Sequence, residues 1–327
     1  MDKRFPWARV ALSVLAGAAA TWLMLGGASG RLGERVSQIS DTLASTDASL
    51  LAPAFLLYAA SICIRAVRMH LLSSDGIPST KALRITAIHA GLGHALPLRL
   101  SDVALVGLLR GYASVPAGQG TGIVIIAKLL DVASLGLTVS GAILYGAGGG
   151  VLIAACVAVI AGAAGILLLP FLMRILAGIG RRFGGGRRAR GFMDSLAEAS
   201  AIWMTSKRRF AWAFVLSVAT WAAKMSMFVL LARAVGLQEP PFWQIFLAGA
   251  VTDLIMALPV HGLFSLGTAE AGWTAGFAVL GVSGEGIVTA GFGVHILWMM
   301  MAFLGLLAAV PLLWSSRPGQ GGGHGNR

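Results

Sequence analysis

Residues 132–173 read VASLGLTVSGAILYGAGGGVLIAACVAVIAGAAGILLLPFLM, without one charged side chain. A helix crosses the hydrocarbon core of a bilayer in about 20 residues, so this run is twice as long as one crossing needs. Gly146-Ala147-Gly148-Gly149-Gly150 interrupts it near the middle, because glycine loses more backbone entropy in a helix than any other residue. The sequence therefore predicts two spans, at about 119–145 and 151–173. The rest of the chain has the same character. Of 327 residues, 57% are hydrophobic and 12% charged, about half the charged share of an ordinary globular chain. No water-soluble fold hides that much apolar side chain, and the 44 glycines follow no collagen-like period. The sequence specifies an all-α polytopic membrane protein, one integral membrane domain over 1–327.

Outward from this run, four more spans follow. Val10 to Ala28 is uncharged and follows Lys3, Arg4 and Arg9. It is longer than the apolar core of a signal peptide and lacks a good cleavage site, so it is read as a retained helix. The others are about Ser49 to Leu72, 210–236 and 286–314. At the far end of the second span, Arg65 and Arg68 are expected to snorkel to the interface. The formal charge of +12 is unevenly placed. The 29–48 loop sets Arg31 and Arg35 against Glu34, Asp41 and Asp47, whereas the 174–209 loop holds nine basic residues, among them Arg181, Arg182, Arg187 and Arg188. Lys and Arg excess marks the cytoplasmic side. That places both termini and 174–209 inside and 29–48 outside, and leaves 315–327 as a disordered tail. Topology and attraction to anionic lipid account for the basic loop without nucleic acid, and Phe192, Leu196 and Trp203 recur there at helical spacing. Cys63 and Cys156 fall inside spans and read as buried, inert thiols.

Residues 80–112 and 240–284 are apolar but interrupted by charge, Gly and Pro. Both contain Ala-Leu-Pro, at Ala95–Pro97 and Ala257–Pro259, and both then carry an acid, Asp102 and Glu270. Pro97 and Pro259 remove a backbone donor and disfavour helix just before them, with Gly262 and Gly267 loosening the second break further. Either these are kinked crossings, or each segment dips into the membrane and returns. In the second case the chain is about six full transmembrane helices plus two re-entrant hairpins. It then divides into two equal programmes, about 8–145 and 151–314, that begin on opposite sides: an inverted repeat, as in many secondary transporters. Broken helix ends at membrane depth must be buried in protein or line a wet cavity, and a half-helix N-terminus there attracts anions.

Arg99, Asp102, Lys128, Asp131, Lys224, Asp253 and Glu270 all fall at or near membrane depth. Each charge at the bilayer centre costs at least ~2.5–3.5 kcal/mol on insertion scales, so a set of this size points to function. Lys128 and Asp131, at i and i+3, either neutralise one another or line a polar pathway. His94 and His261 flank the two breaks and read either as hydrogen-bonded packing or as ligands. No metal-ligand spacing, phosphate-binding loop or nucleotide fingerprint occurs, so no metal, cofactor or ATP-driven motor is expected.

Leu96-Pro97-Leu98-Arg99-Leu100-Ser101-Asp102, Ala127-Lys128-Leu129-Leu130-Asp131, and Leu258-Pro259-Val260-His261-Gly262-Leu263-Phe264-Ser265-Leu266-Gly267-Thr268-Ala269-Glu270 occur in that order. Together they resemble the lysylphosphatidylglycerol synthase transmembrane region, the flippase-like family, over essentially the whole chain. Ser101-Asp102 stands where the family pattern is similar to Gly-Glu, His94 where Asn is frequent, and Lys128 where Arg is. No soluble aminoacyl-transfer domain is expected among these 327 residues. The resemblance implies lipid translocation, or support of an envelope-lipid pathway, in a bacterial inner membrane, rather than lipid synthesis. Hopanoid-associated members of similar length extend the substrate class to polycyclic or glycosylated lipids.

The expectation is thus a flippase-like transporter, not an enzyme, that moves a phospholipid, lipid-linked or hopanoid-type lipid with an anionic or polyol headgroup. Arg99, Lys128, Lys224, His94 and His261 would engage the headgroup. Asp102, Asp131, Asp253 and Glu270 would balance charge or carry protons, and Pro97, Pro259, Gly262 and Gly267 would form the hairpin breaks. Its partners would be membrane lipids and enzymes of an envelope-lipid pathway, with no nucleic acid. The alternatives are an integral membrane transferase on a lipid-linked substrate, with Asp or His as general base, and a non-transporting subunit of an envelope-lipid complex.

Overall fold

The computed structural model describes residues 7–73, 76–97, 100–146, 206–256 and 263–314, with 171, 175 and 178. The expected span at 151–173, nearly all of the basic loop, the tail, Arg99, Cys156, Pro259, His261 and Gly262 lie outside the described residues. Within them the chain forms ten α-helices and no strand. These are α1 (Trp7–Met24), α2 (Leu32–Ala44), α3 (Ala48–Leu72), α4 (Ser79–Ala95), α5 (Leu100–Ala113), α6 (Ala117–Gly146), α7 (Lys207–Ala234), α8 (Phe242–Met256), α9 (Thr268–Val279) and α10 (Glu285–Trp314). Four of them are long and apolar enough to cross a membrane, over Ala48–Leu72, Ala117–Gly141, Lys207–Ala234 and Glu285–Leu312. They match four of the six spans read from the sequence.

From α3 to α10 one order of elements occurs twice: a long helix, two short helices about a break, a long helix. The packing repeats as well. Each first short arm lies on the long helix before it (α4 on α3, α8 on α7) and on a long helix of the other half (α4 on α10, α8 on α6). Each second arm lies on the long helix after it, α5 on α6 and α9 on α10, and α3 against α7 forms the centre. Two cores result. One gathers Met69, Ile85, Leu105, Leu109, Ile126 and Leu130 around the first hairpin. The other gathers Tyr58, Phe228, Trp273, Phe277 and Trp298 around the second.

Helix ends fix which termini share a side. The Asp47 N–H donates to the Ala234 carbonyl at 2.9 Å, and Glu285 Oε1 accepts from Arg31 at 3.1 Å and Arg35 at 2.6 Å. Residues 31–47, 234 and 285 therefore meet at one end. At the other end the Arg84 guanidinium donates to the Leu312 carbonyl at 2.7 Å. Asp47 caps α3 by accepting from the Ser49 N–H at 2.9 Å and its hydroxyl at 2.7 Å. The hydroxyl and then the backbone bond hold this carboxyl below its ordinary range. The cap is thus intact at neutral pH and is lost as pH falls through that lowered value.

Two expectations are corrected. The 29–48 loop contains helix α2, because Leu32, Val36, Ile39 and Leu43 recur at helical spacing; the helix meets α10 through Arg35 and Thr42, and Leu32 and Val36 stay exposed. Cys63 is exposed, not buried, since it shares with Leu56 and Val67 the face of α3 that points away from the core. The Glu285 contacts are partly open to solvent, so Glu285→Gln is expected to cost no more than about 1 kcal/mol. A thermal midpoint that falls at low salt and recovers toward wild type at high salt checks this.

Candidate functional site

The charged residues at membrane depth form two centres. In the first, Arg68 is 4% exposed and does not snorkel. Its guanidinium forks onto both oxygens of Asp131, with Nη2 3.3 Å from Oδ2. Its Nη1 also donates to Ser217 Oγ at 2.6 Å, and Trp221 Nε1 donates to Asp131 Oδ1 at 3.3 Å. Asp102, in the first turn of α5 just past Pro97, lies 3.0 Å from Lys128 Nζ and 3.2 Å from His89 Nε2. Lys128 and Asp131 thus share one face of α6 while each meets a different helix. Arg65, Arg68, His89, Lys128 and Asp131 line a cavity of ≈ 40 Å³.

In the second centre, Lys224 Nζ of α7 sits 2.7 Å from the Asp253 carboxylate of α8. Three aromatic faces surround the ammonium: Trp298 at 4.5 Å, Trp221 at 5.1 Å and Phe228 at 5.8 Å. Positioned this way, a desolvated cation gains from each ring quadrupole. Trp221 and Phe228 flank Lys224 at i−3 and i+4, so one face of α7 builds most of the cage. Glu270, in the first turn of α9, is 0% exposed and accepts from or shares a proton with His295 Nδ1 at 2.6 Å, itself 3% exposed. His94, in the last turn of α4, stands edge-on to Trp298 at 4.2 Å and 5.9 Å from His295. The tip of the first hairpin therefore reaches the second centre. Trp221 joins the two, with its N–H on Asp131 and its ring under Lys224.

The breaks position these groups. Leu96 is extended after α4, as expected before Pro97. The second break is a tight turn in which Phe264 and Ser265 both have φ 56°, a left-handed conformation rare outside glycine and typical of functional sites. Gly267 follows at φ +76°, and a Cβ there would lie 2.5 Å from the Gly17 carbonyl oxygen of α1. Only glycine lets the second break seat against α1.

The chain brings Lys128 to Asp102 and Lys224 to Asp253, and sets His94 beside His295, the partner of Glu270. Sequence reasoning missed Arg68, His89, Ser217, Trp221, His295 and Trp298. His295 was the most readable of these, a titratable residue in the middle of an otherwise uncharged span. Among the described residues, the first centre sets Arg65, Arg68 and Lys128 against Asp102 and Asp131, and the second sets Lys224 against Asp253 and Glu270. The first centre has a surplus cation, whereas in the second Lys224 is matched by Asp253 and Glu270 is paired with His295.

No curated protein and no solved structure matches the chain. The sequence pattern described as the lysylphosphatidylglycerol synthase TM region does match it, over residues 7–308. With nearly its whole length so matched and its long apolar helices in place, this multi-pass membrane protein belongs to the lysylphosphatidylglycerol synthase transmembrane-region family.

Proposed function

We propose that the protein is a flippase-like transporter that moves a lipid with an anionic or polyol headgroup across a bacterial inner membrane. The observation that carries this reading is the joining of two charged centres through Trp221, at the broken ends of two helical hairpins. Such charges are costly at membrane depth and are retained where a polar solute must pass. The headgroup would move from one centre to the other while its tails stay in the bilayer. The twice-repeated order of elements and of packing supports an inverted repeat with re-entrant hairpins. Rocking of one half against the other would then alternate access. Charge distribution supports six spans with both termini in the cytoplasm. In this reading the chain carries out no covalent step.

A second reading has one observation in its favour. His89 and Asp102 at 3.2 Å form the kind of pair that serves as a general base, as a lipid-linked transferase would need. Reconstitution separates the two. Proteoliposomes carrying fluorescent phosphatidylglycerol are expected to expose inner-leaflet probe to an added quencher faster than protein-free vesicles. Lys224→Met combined with Asp253→Leu removes the buried pair without leaving a lone charge, and is expected to keep the thermal midpoint while abolishing movement. Absence of movement for every labelled lipid, with or without a proton gradient, would sink the transport reading. Product formation by the pure protein would favour the transferase.

A further inference from the structure

We infer that Arg65 is the docking group for a phosphate in the cavity of the first centre, an inference that rests on the transport reading and names the headgroup chemistry it serves. Arg65 lies two turns before the end of α3, about 10 Å inside it at 1.5 Å per residue. It lines the cavity beside Arg68, one turn on along the same helix. The other charges there are engaged: Arg68 with Asp131, and Lys128 and His89 with Asp102. Arg65 makes no hydrogen bond or ion pair among the described residues. Two carboxylates therefore face three permanent cations, and the surplus charge sits on the one guanidinium whose donors are unused.

A guanidinium presents a planar fork that matches phosphate oxygens two at a time, and Lys128 adds a point charge. The cavity of ≈ 40 Å³ has room for about three waters at ~10–15 Å³ each. That suits the free oxygens of one phosphate. Arg68 holds Asp131 neutralised on the cavity wall, so an entering anion meets net positive charge. Seating the phosphate brings cations and anions on the wall into balance.

The test is ligand binding by the full-length protein in detergent, read as thermal midpoint against concentration of dihexanoyl phosphatidic acid. Wild type is expected to show a saturable rise. Arg65→Gln is expected to need at least tenfold more ligand, and Arg65→Lys to fall between, with its charge kept and its fork lost. Without ligand, Arg65→Gln is expected to melt no lower than wild type, since it removes an uncompensated cation. A lower unliganded midpoint would assign Arg65 to structure instead. Equal binding by wild type and Arg65→Gln, or an equal response to phosphate-free dihexanoyl glycerol, overturns the site. Competition by inorganic phosphate assigns binding to the phosphate group alone, and its failure to compete assigns it to the phosphate on a lipid; both uphold the site. Binding in a protein that moves no lipid overturns the transport reading and leaves the site standing.

Discussion

Replacing Asp131 with alanine is expected to destabilise the protein by about 3–5 kcal/mol, the cost of leaving a buried charge without its partner. Arg68 is 4% exposed and spends its fork on Asp131. Ser217 and the few waters the adjoining cavity can hold carry no charge, so they cannot neutralise a guanidinium. Trp221 would lose its acceptor at the same time, which loosens the contact between the two centres. Purified Asp131→Ala is expected to show a large fall in thermal midpoint and loss of monodisperse protein. The double variant Arg68→Met/Asp131→Leu removes both charges and fills similar volume. It is expected to recover most of that stability, because a buried ion pair is often no better than apolar packing. A double variant as unstable as the single one would show that the pair is not the source of the loss.

The second large effect is expected at Gly276. In α9, Gly272 and Gly276 stand one turn apart against α8. A Cβ at Gly276 would lie 2.5 Å from the Ala248 Cα, and one at Gly272 would lie 2.7 Å from the Thr252 Cα. These are backbone atoms, so neither can swing aside as a long side chain would. Small residues at this spacing let membrane helices approach closely, and here they hold together the two arms that carry Asp253 and Glu270. Gly276→Ala is expected to cost about 1–3 kcal/mol by overpacking and to lower transport as well, since spreading the arms displaces both acids. Gly107→Ala supplies the contrast. Its Cβ would meet nothing within 4 Å, and alanine in a helix is favoured over glycine by about 0.5–1 kcal/mol. Thermal midpoints of the two variants should move in opposite directions.

Much of the architecture was legible in the sequence because lipid imposes it. Apolar length marks α3, α6, α7 and α10, and Pro97 with its paired acid Asp102 marks the first break. What the sequence does not carry is which helix each charge meets. Lys128 and Asp131 look self-sufficient at i and i+3, yet each meets a partner from another helix, Asp102 of α5 and Arg68 of α3. Arg68 looked interfacial because it lies four residues from the end of α3. The packing of α7, with Ser217 facing it, draws it inward instead. Helix α2 was hidden because its apolar stripe is only four residues and its other face is charged. Trp298 was hidden for the opposite reason: in a span apolar on all sides, no periodicity singles out one face.

The transport reading requires a lipid headgroup inside the protein. The most direct measurement is therefore a structure of the protein purified with its native lipids retained. Headgroup density is expected between the hairpin breaks, within reach of Lys128 or of the Lys224–Asp253 pair, with the acyl tails running outward into the lipid annulus. Lipids confined to the outer faces of α3 and α10, with both centres closed on themselves, would contradict it.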